Sequence, residues 1–277
     1  MTTATPVSPA SALHVTEYGD AGGLPVLAIH GWTPDHRLMT GCLEPVFKRR
    51  AGYRRIYPDL PGMGRSPVGS VASTAEVVDV LEVLIDERIG DASFLLMGES
   101  YGGYLSRELV RRRPDQVLGL ALICPIGRVV RRDERTRPPR TVLEVDEVLL
   151  AQLDQVERQE FTDVAVVQDQ EQLDRFRSDV APGLALADAD GMARIAQRWE
   201  LDHLPEDGPR FDRPTLWVLG RQDDHVGYRD QWDLLEHYPR ASFAVLDRAG
   251  HNLQQEQPIL FEALVDEWLD RVAAESA

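Results

Sequence analysis

The chain has 277 residues, of which 43% are hydrophobic and 27% charged, and a formal net charge of -16. This composition is typical of a globular protein with room for one large domain or two small ones, and the negative charge argues against binding to nucleic acid or to an anionic membrane, which are themselves polyanions. No apolar run reaches membrane-spanning length, so we expect a cytoplasmic protein that acts on a small molecule without binding a membrane or nucleic acid.

The N-terminal part of the chain predicts an α/β fold. Residues 1–12 are rich in Thr, Ser, Ala and Pro and lack the pattern of a signal peptide, so we expect a disordered tail. The segment 13–18 alternates like an antiparallel strand. Apolar strands and helical spacing then alternate: we predict strands at 25–30, 54–57, 93–97 and 118–124, and helices at 38–50, 74–88 and 100–113. Such alternation is typical of a parallel sheet that is covered on both faces.

The alternation stops at residue 128 and resumes at residue 214. Residues 141–201 have helical spacing throughout and no strand signal, so we predict that 128–204 form an all-helical cap, inserted into a core domain made of 13–127 and 205–277. Further strands are predicted at 214–220 and 242–246, followed by one amphipathic helix at 254–272. Cys42 and Cys124 are expected to be buried as small hydrophobic side chains, without forming a disulfide.

Two segments near the predicted cap allow two interpretations each. Residues 128–140 contain six arginines and form either a solvated connector or an arginine-lined substrate entrance. In the cap, apolar side chains at helical spacing either pack between cap helices or line a substrate pocket: Phe161, Phe176, Leu184, Met192 and Trp199.

Residues 98–102 read Gly98-Glu99-Ser100-Tyr101-Gly102 and directly follow a predicted strand. A strand that turns at once into a helix strains the backbone of the residue between them, and the turn requires small residues two positions before and after it. The start of the helix also offers free N–H groups that favour developing negative charge. This pattern predicts that Ser100 is a nucleophile.

A serine nucleophile needs a base, and the base needs an orienting acid. His251 lies between the last predicted strand and the last predicted helix, at the edge of the sheet where Ser100 emerges. Asp223 and Asp224 follow the preceding strand and lie at the same edge. Either could orient the imidazole by its position alone, and the chain order is nucleophile, acid, base.

A tetrahedral intermediate also needs hydrogen-bond donors for its oxyanion. The backbone N–H of Tyr101 is one candidate, because it lies at the helix N-terminus. The second is the backbone N–H of Trp32, since Gly31 allows the chain to turn inward after a strand that ends at His30.

Together, these segments resemble the α/β-hydrolase superfamily: His30-Gly31-Trp32, the stretch 59–66, the serine elbow, and the two loops with Asp223 and His251. The resemblance implies an eight-stranded, mostly parallel sheet with a helical cap. In relatives the acid lies three residues after the glycine that ends the strand, which here favours Asp223. Residues 62–64 could be mistaken for a dinucleotide-binding loop, but Pro67 occupies the expected third glycine position. No metal-ligand spacing occurs, and we expect no cofactor.

The resemblance also narrows the expected reaction. Dehalogenases and epoxide hydrolases of the superfamily carry aspartate at the elbow, and carbon–carbon bond hydrolases commonly carry tryptophan after the histidine, where this chain has Asn252. We therefore predict a serine esterase acting on a small-to-medium, partly apolar acyl substrate. The alternatives are a carbon–carbon bond hydrolase, a thioesterase or lactonase with the same triad, or a ligand-binding signalling member with slow hydrolysis.

Overall fold

Short strands and helices alternate along the computed structural model, which describes residues 13–275. The strands in this range are β1 (Val15–Gly19), β2 (Leu24–Ile29), β3 (Tyr53–Pro58), β4 (Phe94–Glu99), β5 (Val117–Ile123), β6 (Glu144–Val145), β7 (Val167–Gln168), β8 (Thr215–Gly220) and β9 (Ala241–Leu246). The α-helices are α1 (Arg37–Phe47), α2 (Thr74–Arg88), α3 (Ser100–Arg112), α4 (Glu147–Leu150), α5 (Gln155–Val164), α6 (Gln170–Asp179), α7 (Ala181–Leu184), α8 (Ala189–Ala196), α9 (Arg229–Trp232), α10 (Leu253–Glu256) and α11 (Pro258–Glu275). The predicted tail, residues 1–12, lies outside the described residues.

The main sheet has the strand order β1-β3-β2-β4-β5-β8-β9, and its neighbours are parallel except for β1 and β3. The chain leaves β2 toward β3 through α1 and returns from β3 to β4 through α2. Because parallel crossovers are right-handed, these opposite directions place α1 and α2 on opposite faces of the sheet. The strand order reverses between β2 and β4, and ligands of open parallel sheets bind outside the carboxyl ends of the strands at such a point.

The α/β fold and the mostly parallel sheet are confirmed, but the predicted count of eight strands was wrong. Within residues 13–275 the sheet has seven strands, and β1 and β9 are its edge strands. The single helix predicted at 254–272 is two helices, α10 and α11. Pro258 causes the break, because a proline disfavours the helical conformation of the residue before it, and Gln257 has φ -130° and ψ 54°.

The expectation of a purely helical segment at 141–201 was also wrong. Five short helices, α4–α8, occupy it together with β6 and β7, which form a two-residue parallel pair. The pairing continues outside the strands, where the N–H of Leu143 donates to the carbonyl of Val166 at 2.7 Å. Val166 is fully buried, so the backbone there must find hydrogen-bond partners inside the protein, and a strand pair supplies them.

Candidate active site

Ser100 lies in the turn between β4 and α3, with φ at 51°, in the left-handed region that a side chain rarely adopts. A Cβ at Gly98 would lie 2.4 Å from the carbonyl oxygen of Gly102, and a Cβ at Gly102 would lie 2.3 Å from the carbonyl oxygen of Ile29. Neither contact is possible for a real side chain. The two glycines therefore let α3 start against β2 and β4, and this packing holds Ser100 in its strained conformation.

Ser100, His251 and Asp223 form a continuous hydrogen-bond chain. His251 Nε2 lies 2.9 Å from Ser100 Oγ, and His251 Nδ1 lies 2.8 Å from Asp223 Oδ2. A carboxylate only accepts hydrogen bonds, so Nδ1–H donates to Asp223 and Nε2 is free to accept the hydroxyl proton of Ser100. Asp224 instead contacts His225 Nδ1 at 3.1 Å and Arg140 at 3.3 Å. The structure thus places Asp223, which the family resemblance favoured, against His251, and Asp224 away from it.

The charges of Asp223 and His251 stabilise each other. Asp223 is fully buried, and burial by itself raises its pKa. His251 and the backbone N–H of Val226 outweigh this effect, so the net pKa of Asp223 is below its usual range. Burial is the largest single influence on the pKa of His251 and lowers it, but the charge of Asp223 and the hydrogen bond to Asp223 both raise it, and the net pKa is about 9. The imidazole is therefore a stronger base than a free histidine.

A second carboxyl group, Glu99, lies beside this chain, and nothing in the sequence marked it as more than an elbow position. It is 2% exposed, and its Oε1 lies 3.5 Å from His251 Nε2. Burial raises the pKa of Glu99 to about 8, although the nearby His251 opposes this. Glu99 is therefore mostly protonated and uncharged at neutral pH.

The turn after β2 lies directly against Ser100. A Cβ at Gly31 would lie 3.2 Å from the Cβ of Ser100, so glycine allows this close approach. His30 is buried and braces the turn: its Nε2 accepts the N–H of Leu60 at 2.9 Å, and its Nδ1 donates to the carbonyl of Gly31 at 2.7 Å. Burial lowers the pKa of His30, in keeping with this neutral form. The imidazole thus fixes the start of the Gly31–Trp32 segment.

Trp32 and Tyr101, whose backbone N–H groups are the predicted oxyanion donors, line the same cavity as Ser100. Tyr101 is the second residue of α3, where helix geometry leaves the N–H without an intrahelical acceptor. The N–H of Trp32 has no acceptor among residues 13–275. Both groups are therefore available to a ligand oxygen at Ser100.

Ser100 and His251 open into a cavity of about 690 Å³. Three aromatic rings form one wall: Tyr101 stacks on Trp199 of the cap at 4.6 Å between centroids, and Trp32 meets Trp199 edge-on at 4.8 Å. Three of the five cap side chains considered from the sequence line the cavity, namely Phe176, Leu184 and Trp199. The other two pack in hydrophobic clusters, Met192 in the main core and Phe161 in a smaller cluster formed mostly by residues of the cap.

Glu256 links the cap to the loop that carries His251. Its buried carboxyl group accepts the N–H of Val166 at 2.7 Å and, with its other oxygen, the N–H of Gly250 at 2.6 Å. Burial raises the pKa of Glu256 to about 7, against the opposing effect of these backbone donors. Local sequence patterns do not indicate this contact, because Glu256 reads as one more acid in a C-terminal helix.

Replacing Glu256 with alanine should lower the free energy of unfolding by about 3 kcal/mol, because it leaves buried N–H groups without an acceptor. It should also lower kcat, since Gly250 directly precedes His251. Denaturant titration checks the change in the free energy of unfolding, and steady-state rates check the change in kcat. Glu262→Ala is the matched control: Glu262 bonds the exposed Arg49 on the surface, so its loss should change stability far less. Equal effects of the two substitutions would contradict the assigned link.

Among residues 13–275, two clusters of side chains bring possible metal ligands together, which the sequence spacing did not indicate. One consists of Cys124, Asp223 and His251, of which Asp223 and His251 already form the hydrogen bond to each other described above. The other consists of His14, His36 and Asp59. The Asp59 carboxylate already accepts the N–H groups of His36 and Arg65, each at 2.9 Å, which is the pattern of a structural hydrogen-bond centre. Cys42 and Cys124 are both free and buried.

Comparison with known proteins places the chain in a family. Residues 25–258 match the family model for the alpha/beta hydrolase fold, so the chain belongs to that family. It is similar to an alpha/beta superfamily hydrolase from Oenococcus oeni PSU-1, with 27% identity, a TM-score of 0.88, and coverage of 95% of this chain and 97% of that one.

Two curated relatives are enzymes named for ester or lipid hydrolysis. Lipase LipV of Mycobacterium tuberculosis is 37% identical over 118 residues, which cover 41% of each chain. A pimeloyl-[acyl-carrier protein] methyl ester esterase of Aeromonas salmonicida is 26% identical over 240 residues, which cover 83% of this chain and 89% of the esterase. Among residues 13–275, no helix combines the length and apolar character that crossing a membrane requires.

Proposed function

We propose that this chain is a serine hydrolase that cleaves carboxylic esters through an acyl-enzyme. The observation that carries the proposal is the hydrogen-bond chain from Ser100 through His251 to Asp223 at the wall of the cavity. Its members come from three separate loops at the carboxyl edge of the sheet, and this is the arrangement that activates a serine hydroxyl.

In the proposed reaction, His251 Nε2 takes the proton of Ser100 as Oγ attacks the ester carbonyl. The N–H groups of Trp32 and Tyr101 hold the oxyanion, and His251 then gives its proton to the leaving alcohol. Water, deprotonated by His251, then attacks the acyl-enzyme carbonyl. The bond to Ser100 Oγ breaks, His251 returns the proton to Oγ, and the acid leaves. Asp223 stabilises the imidazolium in both steps and stays ionised because its pKa is lowered.

The cavity supports a small-to-medium, partly apolar acyl substrate. Its volume of about 690 Å³ lies within the range of small-molecule sites, and Trp32, Tyr101 and Trp199 offer apolar surface beside Ser100. The curated relatives fit this choice, since one is a methyl ester esterase and the other a lipase.

Steady-state turnover of p-nitrophenyl acyl esters of increasing chain length tests the proposal. We expect hydrolysis that is fastest for short or medium acyl chains. Matched thioesters and lactones measure the alternatives that use the same three residues, and a higher kcat/KM for one of them would change the substrate class. Absence of turnover on every acyl compound would contradict the proposal and favour a ligand-binding role.

The pH dependence follows from His251, which must be unprotonated to act as base. Its pKa is raised, so it stays protonated to higher pH, and kcat/KM should rise with pH to a midpoint above 6.5. Initial rates across a pH series check the prediction. An acid limb at or below pH 6.5 would contradict it.

A further inference from the structure

The arginine-rich connector of residues 128–140 borders the cavity that contains Ser100. Arg131, Arg132 and Arg135 all line it. This position favours the interpretation of the segment as an arginine-lined substrate entrance over its interpretation as a solvated connector. An arginine in this segment can bind an anionic substrate only if no carboxylate of the protein already pairs with it.

Arg131 forms an ion pair with a carboxylate, whereas Arg132 and Arg135 do not. Its Nε lies 2.6 Å from Glu200 Oε1, and this glutamate lines the same cavity. Arg132 and Arg135 form no ion pair with a carboxylate of the part of the chain that the structure describes. Of the remaining acids on the wall, Glu99 is mostly protonated at neutral pH, since burial raises its pKa to about 8. Among the described residues that line the cavity, Asp133 is then the single charged acid without an ion pair, against two arginines without one, Arg132 and Arg135.

Arg135 is held in place by backbone carbonyl groups. Its Nη1 donates to the carbonyl of His225 at 3.2 Å, and its Nη2 donates to the carbonyl of Val130 at 2.5 Å. Its Nε is buried and has no hydrogen-bond partner. A guanidinium has five N–H groups, so this fork is positioned and still has donors to offer. Burial and the neighbouring cations Arg132 and Arg137 lower the pKa of Arg135 to about 10, as expected for a cation without an anionic partner.

The guanidinium of Arg135 also lies near the reacting groups. Its charge is among the influences that lower the pKa of His251. The carbonyl that holds it belongs to His225, whose ring stacks on His251 with 4.9 Å between centroids. An anionic group bound at Arg135 would therefore lie within the same cavity as an ester carbonyl at Ser100.

We propose that the cavity takes esters that carry a free carboxylate, and that Arg135, with support from Arg132, binds this carboxylate while Ser100 attacks the ester. A carboxylate supplies the single negative charge that the wall lacks, and its two oxygens match the guanidinium fork. This substrate class rests on the proposed hydrolase function. Arg135 acts here as a specificity-determining residue and takes no part in bond cleavage.

The test compares monomethyl esters of dicarboxylic acids, from succinate to suberate, with methyl alkanoates of the same chain length. The readout is the ratio of kcat/KM for the anionic ester to that for the neutral ester. We expect the protein to favour the anionic ester at one chain length, and Arg135→Gln to lower the ratio roughly 10- to 100-fold, the usual effect of losing a charged hydrogen bond. Arg135→Lys, which keeps the charge, should recover part of the loss.

Arg137→Gln is the matched control, because it removes the same charge two residues away from an exposed side chain that bonds the carbonyl of Asp224. It should leave the ratio within about twofold of the original. A purely structural role of Arg135 would change both substrates equally and leave the ratio unaltered. An unaltered ratio in Arg135→Gln, or no preference for the anionic ester at any chain length, would overturn the proposal.

A binding measurement keeps this proposal separate from the hydrolase function. Calorimetry of adipate with Ser100→Ala protein needs no turnover, and the further substitution Arg135→Gln should weaken binding by the same factor as the kinetic ratio. Weakened binding would support the carboxylate site even if no ester were hydrolysed. Equal binding by both proteins would overturn it, whatever the esterase result.

Discussion

Replacing Ser100 with alanine is expected to lower the kcat of ester hydrolysis by about four to six orders of magnitude, because it removes the atom that forms the acyl-enzyme. The small change in size should leave the fold intact, since the strained backbone is imposed by the packing of α3 against β2 and β4. Rates on a p-nitrophenyl ester and a thermal unfolding curve check both points.

Ser106→Ala is the matched control for this substitution. Ser106 is buried in the same helix and donates to the carbonyl of Gly102 at 2.7 Å, so its loss affects packing near the elbow but removes no reacting group. Its kcat should stay within about tenfold of the original, in line with the loss of one hydrogen bond. Similar losses in both variants would mean that Ser100 acts through the structure of the elbow and not as a nucleophile.

The second large effect is expected from Asp223→Asn, which should lower kcat about 10⁴-fold. The amide can donate a hydrogen bond to Nδ1, which then leaves the proton on Nε2, where the base must be free. The substitution also removes the charge that raises the pKa of His251, so the acid limb of the pH profile should move to lower pH.

Asp224→Asn provides the comparison at the neighbouring position. Asp224 contacts Arg140 and His225 and makes no hydrogen bond to His251, so its replacement should change kcat by no more than about tenfold. Rates and pH profiles of the two variants, measured side by side, separate the roles. If Asp224→Asn were the crippled variant, the acid would have to be reassigned.

The sequence was sufficient where local patterns decide the structure. The helix predicted at 74–88 matches α2, because Ser73 caps it by accepting the N–H of Glu76 at 3.2 Å. The elbow and the loops with Asp223 and His251 follow predicted parallel strands, whose carboxyl ends meet at one edge. Their convergence on one site could therefore be inferred before any distance was known.

The sequence was insufficient where long-range contacts decide. The strands β6 and β7 have two residues each and are defined by pairing between segments more than 20 residues apart. Glu256 acquires its role from partners across the fold, Val166 and Gly250, and has no local sequence signal. The choice between Asp223 and Asp224 depends on side-chain direction in a turn, which periodicity does not report.

The most direct test of the account is stoichiometric labelling with a fluorophosphonate, followed by intact-mass and peptide mass spectrometry. We predict one adduct per chain, on Ser100, with ester hydrolysis lost in proportion to labelling and no adduct in Ser100→Ala. Ester hydrolysis that continues after complete labelling of Ser100, or an adduct on another residue with Ser100 unmodified, would contradict the assignment of Ser100 as the nucleophile.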